Sequence, residues 1–279
     1  MEPHVFAAVL LAALLHAGWN ALLKTGLDRA SGVLLLALVQ AAIALPLLPF
    51  MPLPAAAAWP WIAAGAGLHA GYKMMLARAY DAADLSQAYP LARGCAPLIV
   101  TAAAVLALGE TPGPRVLAAI AAISLGILVM AARGGPAGRM EGRALAYAGA
   151  TACFTAAYTL ADGIGARIAG SAPAFVLWMA LGDAVLMAAW AGARRGRAAF
   201  AVLRPAWRSG LAAGAMSLGS YGIAVWAFTR APIAMVAALR ESSILFAVVI
   251  AGLVLREPVG RWRWASAGAI ACGVALMKG

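Results

Sequence analysis

Apolar segments of about twenty residues follow one another along this chain with only short polar breaks, and that succession leaves one environment in which it can fold. A helix that crosses a bilayer needs about 20 mostly apolar residues. In lipid every backbone N–H and C=O must be paired within the structure, which only helices and closed barrels achieve. With Arg, Pro and Gly clusters as punctuation, ten segments are read, near 4–23, 32–50, 60–78, 84–108, 114–132, 144–163, 172–191, 207–229, 232–255 and 261–277. Of the 279 residues 65% are hydrophobic and 11% charged, against about a half and about a quarter in a soluble domain. No water-facing fold covers that surplus, so the expectation is an all-α integral membrane protein with the lipid bilayer as its solvent. No connection is long enough to be a soluble domain; the longest, 133–143 and 192–208, are rich in Gly and Arg, as surface loops are.

The net charge of +11 does not point to nucleic acid, because the basic residues flank apolar segments instead of lining one face. Connections after segments 1, 3, 5, 7 and 9 hold Lys24, Arg29, Arg78, Arg133, Arg139, Arg143, Arg194, Arg195, Arg197, Arg204, Arg208, Arg256, Arg261 and Arg263, whereas the other side holds Arg115, Arg167, Arg230 and Lys278. The positive-inside rule assigns the first group to the cytoplasm and leaves both termini outside. Cys95, Cys153 and Cys272 are odd in number and lie inside apolar runs, and His4, His16 and His69 are scattered. Neither set has metal-ligand spacing, so no metal and no cofactor is expected. The N-terminus lacks the basic region of a signal peptide, which makes its first apolar run a retained span.

One segment is out of keeping with lipid. Residues 84–108 carry Arg93 between Pro90 and Pro97, and an intramembrane arginine marks a functional site or an internal ion pair. The stretch is echoed later. An offset of 147 brings Arg93 onto Arg240, Glu110 onto Glu257, Ile123 onto Ile270, Gly126 onto Gly273 and Met130 onto Met277. The chain then divides into two repeats, 1–137 and 138–279, of five spans each, and an odd number of spans turns the second copy upside down. Inverted repeats of this kind build many secondary transporters, whose site lies near the midplane between the halves.

Ten short-looped spans, an early His16-Ala-Gly-Trp-Asn20, and Tyr89-Pro-Leu-Ala-Arg-Gly in the fourth segment together resemble the drug/metabolite transporter superfamily. Leu108-Gly-Glu110 and Arg256-Glu257-Pro258 are similar to its EamA branch, which includes bacterial amino-acid exporters. The resemblance runs the length of the chain. It implies ten transmembrane helices as two inverted five-helix repeats in the bacterial inner membrane. Helices 1, 3, 4, 6, 8 and 9 would wall a central cavity, with 2 and 7 alongside and 5 and 10 to one side. Members of the superfamily move amino acids, nucleotide sugars, sugar phosphates or drugs.

The candidate site residues come from polar and aromatic faces, which inside a membrane must look into protein or water. On the first segment His16, Trp19, Asn20 and Leu23 share a face. On the third, His69, Tyr72, Lys73, Leu76 and Tyr80 form a stripe; Lys73 is expected to snorkel to the near interface. His69 has no such escape. It is read either as a cavity group able to carry a proton or as a neutral histidine bonded to a neighbouring helix. Ser86, Tyr89 and Arg93 follow, with Pro90 bending the chain before the arginine; Arg93 either meets a substrate carboxylate or pairs with an acid such as Glu241. Thr151, Thr155, Tyr158 and Asp162, then Trp178 and Asp183, then Ser217, Ser220, Tyr221 and Trp226, then Ser242, complete the set. Arg240 and Glu241 are adjacent, so about 100° of rotation keeps them from facing one partner. Glu110 and Glu257 are expected to shape turns.

Rings, hydroxyls and few fixed charges suit a small amphipathic substrate with an apolar side chain, an amino acid foremost. The substrate-binding set expected is Trp19, Asn20, His69, Tyr72, Tyr89, Arg93, Tyr158, Trp178, Ser217, Tyr221 and Ser242. Other metabolites or cationic drugs are the alternative cargo. No His-Glu-x-x-His and no paired aspartates on facing spans support an intramembrane enzyme. Small residues around Gly126 and Gly268 to Gly273 allow close helix packing in either a monomer or a homodimer.

Overall fold

The computed structural model describes residues 1–22, 27–82, 85–133, 142–254, 256 and 259–278, without the side chains of 29, 80–82, 85–89 and 254. The expectations placed on Leu23, Lys24, the side chains of Tyr80, Ser86 and Tyr89, Arg139, Glu257, Pro258 and the 137/138 boundary lie outside the described residues. All regular elements described are helical: α1 Pro3–Leu22, α2 Arg29–Leu47, α3 Trp59–Ala82, α4 Leu85–Leu108, α5 Pro114–Arg133, α6 Gly142–Ile168 and α7 Ala172–Arg195. There follow α8 Ala198–Ala201, α9 Trp207–Phe228, α10 Ile233–Arg240, α11 Ser242–Val249 and α12 Arg261–Lys278, with short 3₁₀ turns between some of them and a π turn after α11.

Eight stretches of the described residues are long and apolar enough to cross a membrane. Of the ten segments read from the sequence, α3 and α12 are not among them: α3 is diluted by Trp59, Pro60, Trp61, His69, Tyr72 and Lys73, and α12 carries Arg261, Arg263 and Lys278. The helices start where capping chemistry allows. Asp28 takes the Ser31 amide at 3.1 Å at the head of α2, and Ser171 takes the Ala174 amide at 3.3 Å at the head of α7. Gly196, with φ of 57°, closes α7 in a conformation that glycine adopts without strain. Pro90 and Pro97 lie inside α4, which runs on through both.

Two groups of connections gather at opposite ends of the bundle. At one, Arg195 reaches Asp28 at 3.1 Å and Arg133 lies over the Trp262 ring at 5.3 Å. At the other, the Ala55 amide donates to the Ala169 carbonyl at 3.2 Å, and Arg167 donates to the Phe228 and Ala231 carbonyls at 2.8 and 3.0 Å. There Glu110 accepts from the amides of Ile233 and Ala234 at 2.8 and 3.3 Å, so its carboxylate caps α10, a helix other than the one its place before Pro112 implied. At the first end burial pushes the Asp28 carboxyl up, but hydrogen bonds from the Ser31 hydroxyl and amide and from Arg195 outweigh it and hold the group below its ordinary value.

Between the ends, α3 packs on α6, α1 on α9, α5 on α12, α4 on α5 and α6, and α2 on α7 and α9. The α5–α12 contact is backbone-close. A Cβ on Gly273 would meet the Ala119 carbonyl oxygen at 2.8 Å, and one on Gly126 would meet Ser266 O at 3.1 Å. These glycines therefore serve packing within the chain. The segment expected as one span at 232–255 is broken at Glu241, where 3₁₀-type bonds join Glu241 N to Ala238 O and Ile244 N to Glu241 O, each 3.0 Å. Of the apolar stretch Ile233–Leu253, 72% is buried, against 28% for α1, so the broken helix runs through the middle of the molecule.

Candidate functional site

A cavity lies where α1, α2, α3, α6, α7, α9 and α10 converge. Counting the open space at its mouth, the empty volume there is about 760 Å³. The α3 stripe faces it as the spacing implies: His69, Tyr72, Lys73 and Leu76 all line the wall. α1 adds His16 and Trp19, α2 adds Gln40, α6 adds Tyr158, α9 adds Ser217, Ser220 and Tyr221, and α10 adds Arg240.

The deepest polar cluster joins three helices. His69 Nε2 lies 2.9 Å from Asp162 Oδ2 and 3.1 Å from the Tyr221 hydroxyl, and that hydroxyl donates to the same Asp162 oxygen. With the tyrosine proton directed at Oδ2, a hydrogen on Nε2 completes the set, an assignment made from the network. Asp162 is fully buried, and its Oδ1 has no hydrogen-bond partner. Gly65 on α3 leaves the space that this oxygen occupies, since any Cβ there would collide with it. The His69 ring stacks on Tyr158 at 4.1 Å, and Tyr72 meets Tyr158 edge-on at 5.6 Å. Ring stacking and the carboxylate bond hold the imidazole in place from two directions.

Lys73 departs from expectation. Its side chain is buried and forms an ion pair with Asp183 of α7, which also lines the cavity. Pairing at depth wins over snorkelling because an acid on the facing helix removes the need to reach water. Gln40 Nε2 donates to Ser217 Oγ at 3.0 Å, and Ser220 donates to the Ala12 carbonyl at 2.7 Å, tying α9 to α2 and α1.

The two arginines related by the 147-residue offset have different surroundings. Arg93 is 3% exposed and donates through Nε to Glu241 at 2.9 Å, one of the two readings open from the sequence. No described side chain of α4 lines the cavity; those of 85–89, Tyr89 among them, lie outside the described residues. Arg240 does line it, with Cζ 5.1 Å from the Tyr221 ring centroid. Adjacent along the chain, Arg240 and Glu241 face different partners, as their helical separation requires.

Several expected residues stand apart from the cavity wall. The Asn20 amide turns back to the His16 carbonyl at 2.8 Å. Trp178 packs edge-on against Trp59, centroids 5.1 Å apart, on another face of α7. Ser242 is buried and bonds the Leu239 carbonyl at 2.7 Å. Thr151 and Thr155 bond carbonyls one turn back within α6. Lys73, Asp183, Asp162, Gln40, His16 and Arg240 belong to the site or its support but were absent from the expected substrate-binding set. Asp162 and Asp183, named among the candidates but not in that set, lie inside apolar segments, where each implies a buried partner. Among the described residues, no three His, Cys, Asp or Glu side chains come together as a metal site.

Residues 143–278 match the model of the EamA-like transporter family. An EamA-like domain, a module of multi-pass membrane proteins that move small molecules, is therefore present in the second half. A solved crystal structure with 16% identical residues superimposes with a TM-score of 0.73 over 99% of this chain and 96% of its own, a likeness of fold alone. No curated protein matches the sequence.

Proposed function

From the EamA-like domain and the cavity, we propose that this protein is a secondary transporter exporting amino acids, aromatic and other apolar ones, across the bacterial inner membrane by alternating access. The cavity carries the reading. It draws walls from both halves of the chain, presents the rings of Trp19, Tyr72, Tyr158 and Tyr221, and keeps its acids engaged. Aromatic walls with a few placed polar groups suit an apolar side chain on a polar backbone.

Ten membrane-crossing helices in two inverted repeats are part of this proposal. The packing supports it, because adding five to each helix number, with α9, α10–α11 and α12 counted as eighth, ninth and tenth, exchanges equivalent contacts. Under that rule α3–α6 exchanges with α1–α9, α4–α5 with α11–α12, and α3–α7 with α2–α9, while α5–α12 and α2–α7 map onto themselves. Gly126 and Gly273, matched by the 147-residue offset, both lie in the self-mapped α5–α12 contact. α12 runs antiparallel to α5, with Trp262 near Arg133 and Gly273 near Ala119, which supports a full crossing despite its charges. The arginine-rich end would be cytoplasmic, with both termini outside.

Purified protein in liposomes loaded with labelled phenylalanine or leucine tests the transport reading. Efflux or exchange above empty liposomes is expected, and none with any amino acid would overturn it. Cationic drugs are less suited, since Asp162 and Asp183 are both engaged and the cavity already contains Arg240.

A further inference from the structure

The cavity's charges sort into engaged and available groups. Asp183 is taken by Lys73, Glu241 by Arg93, and Asp162 by Tyr221 and His69. Arg240 is 7% exposed, and among the described residues no carboxylate, carbonyl or hydroxyl takes a hydrogen bond from it. Its recorded partner is the face of Tyr221, which leaves the in-plane N–H groups of the guanidinium unused. None of its nitrogens is a sealed, unsatisfied atom, so those donors open on the cavity. A deep cation left in this state is costly unless a ligand or water completes it.

We propose that Arg240 is the anchor for the substrate's carboxylate, held by paired hydrogen bonds from the guanidinium, and that Arg93 is not. This rests on the transport reading above and specifies its substrate as a monocarboxylate. The planar fork matches a carboxylate in two bonds. One available cation suits a single negative charge, whereas a dianionic phosphate would call for more. Tyr221 sets the anchor's direction. Its ring supports the guanidinium from one side while its hydroxyl is held on Asp162. Helical rotation between neighbours divides the labour: Arg240 ends α10 facing the cavity, and Glu241 turns away to neutralise Arg93.

The test is calorimetric binding to the purified protein with four probes: L-phenylalanine, its carboxamide, benzoate and inorganic phosphate. Wild type is expected to prefer phenylalanine over the carboxamide by about ten- to a hundredfold, the worth of a charge-assisted hydrogen bond. Arg240→Gln should abolish that preference while carboxamide binding persists. Arg240→Lys, which keeps charge without the fork, should retain only part of it and serves if the glutamine variant does not fold. Equal wild-type affinity for acid and amide, or an undiminished preference in either variant, overturns the anchor but leaves amino-acid transport standing. Benzoate binding that depends on Arg240, without phenylalanine binding, overturns the amino-acid reading and keeps the anchor. Tighter binding of phosphate than of either carboxylate overturns the monocarboxylate assignment, and binding of none of the four overturns both.

Discussion

Replacing Lys73 with methionine strips Asp183 of its ion-pair partner at a cavity wall where little of either side chain meets solvent. The two side chains are 8% and 4% exposed, so solvent screening does little to soften the loss. Asp183 Oδ1 already lacks a hydrogen-bond partner, and the substitution leaves Oδ2 bare as well. Removing one member of a buried pair costs about 3–5 kcal/mol, because the remaining charge is uncompensated. The upper part of that range is expected here, with α3 and α7 loosened against each other. Replacing both members by apolar residues of similar size removes the stranded charge, and such replacements are neutral or stabilising by about 1–4 kcal/mol. Lys73→Met, Asp183→Leu and the double variant should therefore form a strongly non-additive cycle in which the double variant recovers most of the single losses. Denaturant unfolding in detergent micelles, followed by tryptophan fluorescence without ligand, measures all four corners. A Lys73→Met loss below about 1 kcal/mol, or a double variant losing the sum of the singles, would refute the assignment of a sealed pair.

Three further outcomes follow from particular contacts. Glu110→Ala should cost about 0.5–2 kcal/mol, as for a lost helix cap, with faster hydrogen exchange at the Ile233 and Ala234 amides it holds. Gly273→Ala forces a methyl onto the Ala119 carbonyl oxygen and should cost about 1–3 kcal/mol, whereas Gly268→Ala, with nothing within 4 Å, should be neutral or gain up to about 1 kcal/mol by helix propensity. Thermal unfolding of both variants separates the two cases. Asp28 has a folded value lowered from 3.8, so its contribution is fully present above the unfolded value and lost as pH falls through the folded one. Being half-exposed it contributes little. The stability gap between wild type and Asp28→Asn should therefore be small, steady above about pH 5, and narrow below pH 4.

The α3 stripe was legible from spacing alone, because His69, Tyr72, Lys73 and Leu76 recur at the helical period and lipid cannot accommodate them. The fate of Lys73 was not legible, because snorkelling and burial differ only in whether an acid stands opposite, and Asp183 lies 110 residues away. For the same reason Asn20 and Trp178 were placed on the wall. A residue's helical face fixes its direction to within a wide arc, and neighbouring helices decide whether that arc opens on space, backbone or another ring. The helix break at Glu241 left no trace of glycine or proline in Leu239-Arg240-Glu241-Ser242 to announce it.

By itself the sequence determined the solvent and most of the helices, and its 147-residue offset proposed Arg93 and Arg240 as counterparts. Apolar run length, charge placement and an internal offset are properties of the chain as a string, and each acts through local physics. Which of the two arginines is neutralised is a different matter. Glu241 is one residue from Arg240 and 148 from Arg93, yet it bonds Arg93. Only the packing of α4 against α10 decides that Arg93 meets Glu241 while Arg240 faces the cavity.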